Sequence, residues 1–261
     1  MTEEFFIEQR GRVLVCTLNN PAMRNALSPE IYQSAFASLE EAENDPGIGA
    51  VVYTGAGGFF CAGGNLNRLK ADRRRPKSEQ RARVELLNRW VDKMRCFPKP
   101  IIAAVEGAAA GAGFSLALGS DLIVSAEDAV FAMSYVKVAL NPDGGGSAFI
   151  CRGLPHQLAA ELMFEGGKIS PQRLHSLGIV NRICGSGQAL ETAVTWATKL
   201  ADGPTVALGR IKSLLEKGYP GSVLEQLEAE ANYMNDAVHH PEAWEGIEAF
   251  LEKRKPVFPR E

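Results

Sequence analysis

The sequence predicts a mixed α/β body of roughly 185 residues, 1–186, followed by an all-helical tail, 187–261. Three observations predict it. Val/Ile-rich runs bounded by glycine alternate with segments of helical periodicity through the body. Two of those runs, Ile48–Thr54 and Ile101–Val105, lead into Gly/Ala turns that open helices. Beyond residue 187 strand-like runs stop and only helical stripes remain.

Phe5 to Ile7 and Val13 to Leu18 flank Gly11 and predict a hairpin. Ser28-Pro29 reads as an N-cap with proline in the first turn, and Ile31, Ala35, Leu39 and Ala42 follow at helical spacing. After the strand Ile48–Thr54 comes a glycine-rich turn, Gly55 to Gly64. Val84, Leu87, Val91 and Met94 mark one face of a helix that stops before Pro98. Ile101 to Gly119 is 19 residues long with Glu106 as its only charge, close to the length of a membrane span. More than half of it is Gly or Ala and its character changes at Gly107, so it predicts a buried strand, a tight turn and a buried helix. Leu122–Ser125, Val130–Met133 and Ile179–Ile183 predict strands; Pro155–Phe164 and Pro171–Leu177 predict helices, the second capped by Ser170. The tail predicts helices over 187–201, 204–217 and 222–238, then a short one carrying Trp244, Ile247 and Leu251. The stripe Leu224, Leu227, Ala231, Met234 and Val238 exceeds what one helical hairpin covers, and needs the body or another subunit against it.

The net charge of −3 gives no basic field for nucleic acid. Eight basic residues do fall between Arg68 and Arg83; they read as a solvated face before they read as a polyanion site. Five scattered cysteines without a C-x-x-C fit a reducing compartment and no disulfide framework. The Met-Thr-Glu-Glu start lacks the features of a signal peptide. His239-His240, His156 and His175 have no acidic or Cys companions at ligand spacing, so no metal site is expected.

Several short patterns bear on chemistry. Gly107-x-x-x-Gly111-x-Gly113 fits a dinucleotide turn. However, about 100 residues precede it and Ala139 stands where the lysine of a Tyr135-x-x-x-Lys pair would be. Close packing of a helix on a sheet explains those small residues as well. Ser134-x-x-Lys137 lacks the partner motifs of serine acyl-enzymes. Asn141-Pro-Asp143-Gly-Gly is, in isolation, a type I turn. Both strand–turn–helix units present free backbone N–H groups with nothing bulky to shield them.

Taken in order, four segments resemble the crotonase (enoyl-CoA hydratase/isomerase) superfamily over essentially the whole chain: Pro21-x-x-Arg24-Asn25-Ala26-Leu27, Phe60-Cys61-Ala62-Gly63-Gly64-Asn65-Leu66, Lys99-Pro100-Ile101 through Gly113, and Phe250-x-Glu252-Lys253-Arg254. The resemblance implies a crotonase-like spiral of β-β-α units with a C-terminal trimerisation region, assembled as a homotrimer or homohexamer. It implies a cytoplasmic enzyme acting on an acyl-CoA thioester, with coenzyme A as part of the substrate and no separate cofactor, nucleic-acid or membrane partner. The oxyanion hole would be the N–H groups of Gly64 and Ala112, one per strand–turn–helix unit. Coenzyme A would lie along Arg24, Ala26, Ala62, Gly64, Asn65 and Leu66, with Phe250 and Lys253 contributing from the tail.

The departures matter most. The two glutamates of the family's hydratases are replaced here by Ser115 and Tyr135, and Asn65 stands for the usual aspartate. Asp143 occupies the position where the phenylacetate-pathway isomerase branch carries its aspartate. The resemblance therefore implies an isomerase that shifts an enoyl-CoA double bond with Asp143 as sole acid/base, its pKa raised by apolar neighbours such as Leu140 and Phe149. A hydratase using Asp143 with a pocket water, and a non-catalytic acyl-CoA binder, are the alternatives; a nucleotide-dependent dehydrogenase ranks behind both.

Overall fold

A computed structural model describes residues 3–218 and 221–260. In chain order the elements are β1 (Phe5–Arg10), β2 (Val13–Leu18), α1 (Pro29–Glu43), β3 (Ala50–Gly55), α2 (Leu66–Asp72), α3 (Lys77–Cys96), β4 (Ile101–Val105), β5 (Ala108–Ala110) and α4 (Ala112–Gly119). Then come β6 (Leu122–Ala126), β7 (Val130–Ala132), α5 (Gly146–Gly153), α6 (His156–Glu165), β8 (Lys168–Ile169), α7 (Pro171–Ser176) and β9 (Arg182–Cys184). The tail holds α8 (Ala189–Ala201), α9 (Thr205–Gly218), α10 (Val223–Val238) and α11 (Pro241–Leu251).

The predicted mixed α/β body with trailing helices is observed. The larger sheet runs β1-β2-β3-β4-β6-β9, antiparallel only between β1 and β2. A smaller sheet runs β5-β7-β8. The chain passes from a strand of the larger sheet to one of the smaller and then into helix: β4, β5, α4, and again β6, β7 and helices beyond. Phe60 and Cys61, after β3, extend the smaller sheet in the same way by pairing with the β5 segment. This repeat is the spiral of β-β-α units. The near-membrane-length stretch divides into β4, β5 and α4, and among the described residues no helix is long and apolar enough to cross a membrane.

The parallel strands are buried on both faces, which is why they read as continuous apolar runs. Leu14, Cys16, Val51, Tyr53, Ile101 and Ala103 face a core shared with α1, α3 and α4. The alternate residues Val13, Val15, Ala50, Val52, Ile102 and Ala104 face α8. That helix lies flat on the sheet through Ala189, Ala193, Ala197 and Ala201, spaced four apart on one face. Glu106, the single charge of its segment, accepts from the N–H groups of Ala189 (2.7 Å) and Gly187 (3.1 Å), so its carboxylate caps the N-terminus of α8. Buried Lys212 of α9 reaches Asp121 at 2.7 Å and the Met94 carbonyl at 2.8 Å, docking the tail on the body. The apolar stripe of α10 stays uncovered in the single chain, with Leu224 79 % and Met234 65 % exposed.

Three elements went unanticipated: α5, β8, and β5 in the stretch expected to be a tight turn. The first starts from Gly144-Gly145-Gly146, two of them at positive φ, and reads as loop; the second is only two residues long. The strand expected at Ile179–Ile183 forms only from Arg182, as β9 (Arg182–Cys184), because the N–H groups of Ile179 and Val180 turn back to the Leu174 carbonyl. The basic run forms the end of α2 and the start of α3. Arg75 and Arg83 pair with Asp72, Arg68 with Glu30 and Arg81 with Glu85.

Asn25 is the tie on which the first turn depends. It is fully buried at φ 56°, accepts from the Asn20 N–H at 2.8 Å, and donates to the carbonyls of Ala56 (2.9 Å) and Phe59 (2.6 Å). Asn25→Ala strands those three groups and places Ala in a left-handed conformation, so urea unfolding is expected to show a loss on the order of 3 kcal/mol.

Candidate active site

The site is assembled from two backbone turns pressed together. The Cys61 N–H donates to the Ala108 carbonyl (3.0 Å), and the Ala110 N–H returns to the Cys61 carbonyl (2.9 Å). On the other side, the Ala62 N–H donates to the Arg24 carbonyl (2.9 Å) and the Leu27 N–H to the Gly63 carbonyl (2.8 Å). The turn after β3 is thus stitched to both the Arg24–Leu27 segment and β5. Glycines set the spacing. A Cβ on Gly63 (φ 91°) would lie 2.7 Å from the Ala110 carbonyl oxygen and 3.1 Å from the Ala112 nitrogen, and one on Gly113 would overlap the Cys61 carbonyl.

Gly64 and Ala112 then line the same cavity, of about 400 Å³, together with Ala62, Leu66, Tyr135 and Asp143. Among the described residues neither the Gly64 nor the Ala112 N–H has an acceptor, the second because it opens α4. A Cβ on Gly64 would meet only Leu69, at 3.9 Å, so this glycine borders open space rather than another turn. Asn65, expected to bind substrate, is the N-cap of α2; its side chain accepts from the Arg68 N–H at 3.1 Å. Ala26, expected to lie along the substrate, is buried and does not line the cavity. Arg24 stacks over Phe59 at 5.5 Å. Phe250 and Lys253 are not brought to this cavity within the chain: Phe250 lines a separate apolar one among α9 to α11, and Lys253 ends α11 at φ 56°.

Asp143 sits in the loop before α5, where a narrower extension of the cavity, about 70 Å³, meets the main chamber. Leu27, Leu69, Val84 and Leu87 wall that extension beside Tyr32. Burial pushes the Asp143 carboxyl above the ordinary aspartate range, and the hydrogen bond from Tyr135 opposes the rise. Of the apolar neighbours expected, Leu140 shares the cavity wall with Asp143. It is at the exposed outer wall, and Phe149 packs beneath Gly119 and Gly145. The other cavity carboxylate, Asp72, is held by Arg75 and Arg83.

Ser115 and Tyr135 lie beside Asp143. The Tyr135 hydroxyl donates to Asp143 Oδ1 at 2.7 Å and lies 3.1 Å from the Ser115 hydroxyl. Ser115 is completely buried, one helical turn into α4, and a Cβ on Gly146 would run into its hydroxyl. The contact of Tyr135 with Asp143, eight residues apart across a Pro/Gly loop, has no periodic signature in the sequence.

A cavity lined by two acceptor-less N–H groups from two strand–turn–helix units, beside a half-buried aspartate, fits a protein that stabilises an oxyanion while moving a proton. Comparison with known proteins agrees. The family model described as enoyl-CoA hydratase/isomerase matches residues 8–261, and the chain belongs to that crotonase family of enzymes. It is 35 % identical over 94 % of either chain to the 1,2-epoxyphenylacetyl-CoA isomerase of Escherichia coli (strain K12). It is 33 % identical to the 2,3-dehydroadipyl-CoA hydratase of the same organism, over 98 % of both chains. A crystal structure of an enoyl-CoA hydratase from Polaromonas sp. JS666 superposes with a TM-score of 0.96 at 48 % identity, covering 98 % of this chain and 99 % of that one.

Gly113→Ala forces the two turns apart and is expected to lower kcat/KM on an enoyl-CoA ester by about 100-fold or more. Gly167→Ala, whose Cβ meets nothing within 4 Å, is the control and stays within about twofold. Steady-state kinetics on both variants makes the comparison.

Proposed function

We propose that the protein is an enoyl-CoA isomerase, and that Asp143 is its acid/base. One observation carries this reading: among the described residues Asp143 is the cavity carboxylate left without a cationic partner, while the two glutamate positions of the hydratases hold hydroxyl side chains. A carboxylate pair is the requirement for adding water by the hydratase route; a single one suffices to shift a double bond. In a 3-enoyl thioester Asp143 removes a proton from C2. The electron pair spreads into a dienolate whose oxygen lies between the Gly64 and Ala112 N–H groups. Asp143 returns the proton at C4, leaving the double bond between C2 and C3. No redox partner or cofactor enters this balance. One oxyanion donor is worth about 2.7–4 kcal/mol of barrier in acyl-transfer enzymes. The similarity to an isomerase of acyl-CoA supports the same choice.

Hydration is the second reading. The similarity to a hydratase favours it, as do the Ser115 and Tyr135 hydroxyls, which suit the holding of a water beside Asp143. Coenzyme A would enter over Ala62, Leu66 and Lys137 at the mouth of the cavity, with Arg24 toward its phosphates. The uncovered stripe of α10 and the apolar faces of α11 suit packing against further copies as a trimer or hexamer. Free thiols at all five cysteines suit a cytoplasmic setting.

Incubation with 3-enoyl-CoA and, separately, 2-enoyl-CoA separates the readings by product mass. A shifted double bond without added water is the expected result; a hydrated product makes the protein a hydratase, and no product from either favours a binder. Asp143→Asn is expected to lower turnover by about 1,000-fold. Because Asp143 must be ionised to accept the first proton, kcat/KM should fall as pH drops through its raised pKa. The acid limb is therefore expected above the ordinary aspartate value of about 3.9.

A further inference from the structure

We propose that Tyr135, held in turn by Ser115, is a positioning residue that anchors one oxygen of Asp143 and leaves the other free to exchange protons with substrate. The inference rests on the acid/base reading of Asp143 above. Its geometric basis is a chain of three side chains from three different segments. Ser115 comes from the first turn of α4, Tyr135 from the short 3-10 turn 134–138, and Asp143 from the loop before α5. Tyr135 has a single hydroxyl hydrogen, and it is directed to Asp143 Oδ1 at 2.7 Å. The 3.1 Å contact with Ser115 is then made with Ser115 donating to the phenolic oxygen. The Gly111 carbonyl, 3.5 Å from the Ser115 hydroxyl, is the longer alternative for that hydrogen, so the shorter contacts run in the order Ser115 to Tyr135 to Asp143. Oδ2 accepts no hydrogen bond among the described residues and is not sealed from the cavity.

This arrangement solves a problem peculiar to a lone carboxylate. A shuttle must take a proton at one carbon and return it at another without rotating the protonated group away. With Oδ1 pinned, the carboxyl keeps its plane in both protonation states, since Oδ1 accepts from Tyr135 whether or not Oδ2 carries the proton. The phenol is itself no competing acid: burial first, and then the charge of Asp143, holds it far above the ordinary phenol value. Other charged or titratable groups share the cavity wall with Asp143. They are Tyr32 on α1, Arg68 and Asp72 on α2, Arg83 on α3, and Lys137 beyond Tyr135. Asp72 holds Arg83, and Glu30 holds Arg68, so Tyr135 makes the direct contact with the carboxylate.

Tyr135→Phe, Ser115→Ala and the double variant test the chain. Tyr135→Phe should lower kcat about 10- to 100-fold with KM within about threefold, the loss of one charge-assisted hydrogen bond. The carboxyl loses a donor to its ionised form, so its titration should move to higher pH by about one unit, seen by ¹³C NMR of labelled aspartate in the free protein and in the acid limb of kcat/KM. Ser115→Ala should cost less, and adding it to Tyr135→Phe should cost nothing further. An unmoved Asp143 titration in Tyr135→Phe, an unchanged kcat, or additive losses in the double variant overturns the proposal. The NMR titration needs no substrate. A moved titration with Asp143→Asn fully active therefore means that the acid/base reading failed while the anchor stands, and so overturns the catalytic role of the anchor.

Discussion

The close approach of two main-chain turns is the constraint that the rest of the molecule serves. Gly63 faces the Ala110–Ala112 turn, and Gly113 faces the Cys61 carbonyl, at separations no side chain tolerates. Once those backbones touch, two N–H groups from different units of the spiral open into one cavity. Everything that secures the turns is backbone or small: the exchange between Cys61 and Ala108–Ala110, the Leu27 N–H on the Gly63 carbonyl, the buried Asn25 that ties Asn20, Ala56 and Phe59 together. The residues around the cavity are therefore interpretable as two groups. One group holds the turns at contact distance, and the other meets whatever enters.

The sheet supplies rigidity behind those turns. Each parallel strand that leads toward the site is packed on both faces, by the large side chains of the inner core on one side and by the alanine face of α8 on the other. Glu106 belongs to both layers. It follows β4 directly, its carbonyl accepts from the Phe60 N–H, and its carboxylate caps α8. The same short segment thus pairs with the first turn, leads into the second, and fastens the helix that covers the outer face of the sheet.

Much of the fold was legible because its signals are local. Valine and isoleucine runs became buried strands, Ser28 and Ser170 became N-caps that accept backbone N–H groups, and the glycine clusters fell at turns with positive φ. What escaped was tertiary. A helix that opens on one glycine after two left-handed ones has no propensity signal, and strands of two or three residues have no pattern at all. Motif residues also changed meaning once their surroundings were visible. Asn65 is a cap and Asn25 a tie. Lys99 buries its ammonium on the carbonyls of Ala42 and Asp45, and Asp121 receives Lys212 and the Ile101 N–H. Of the candidate site, the glycine-rich turns and Asp143 were readable from spacing and resemblance. The hydroxyl pair beside Asp143 was readable only as two missing glutamates, because proximity across a loop leaves no trace in periodicity.

Cys61 illustrates a quieter requirement of this site. Its thiol is fully buried between the two turns, where it accepts the Gly63 N–H at 3.4 Å, and burial pushes it up to about 12. At neutral pH such a group is protonated almost entirely, and only the thiolate attacks carbonyl carbon. Cys61 precedes Ala62 of the cavity wall but does not itself line the cavity, so burial as well as protonation keeps its thiol from whatever enters. A thiol so enclosed offers no nucleophile to the cavity, and a guest that would react with a thiolate passes it untouched.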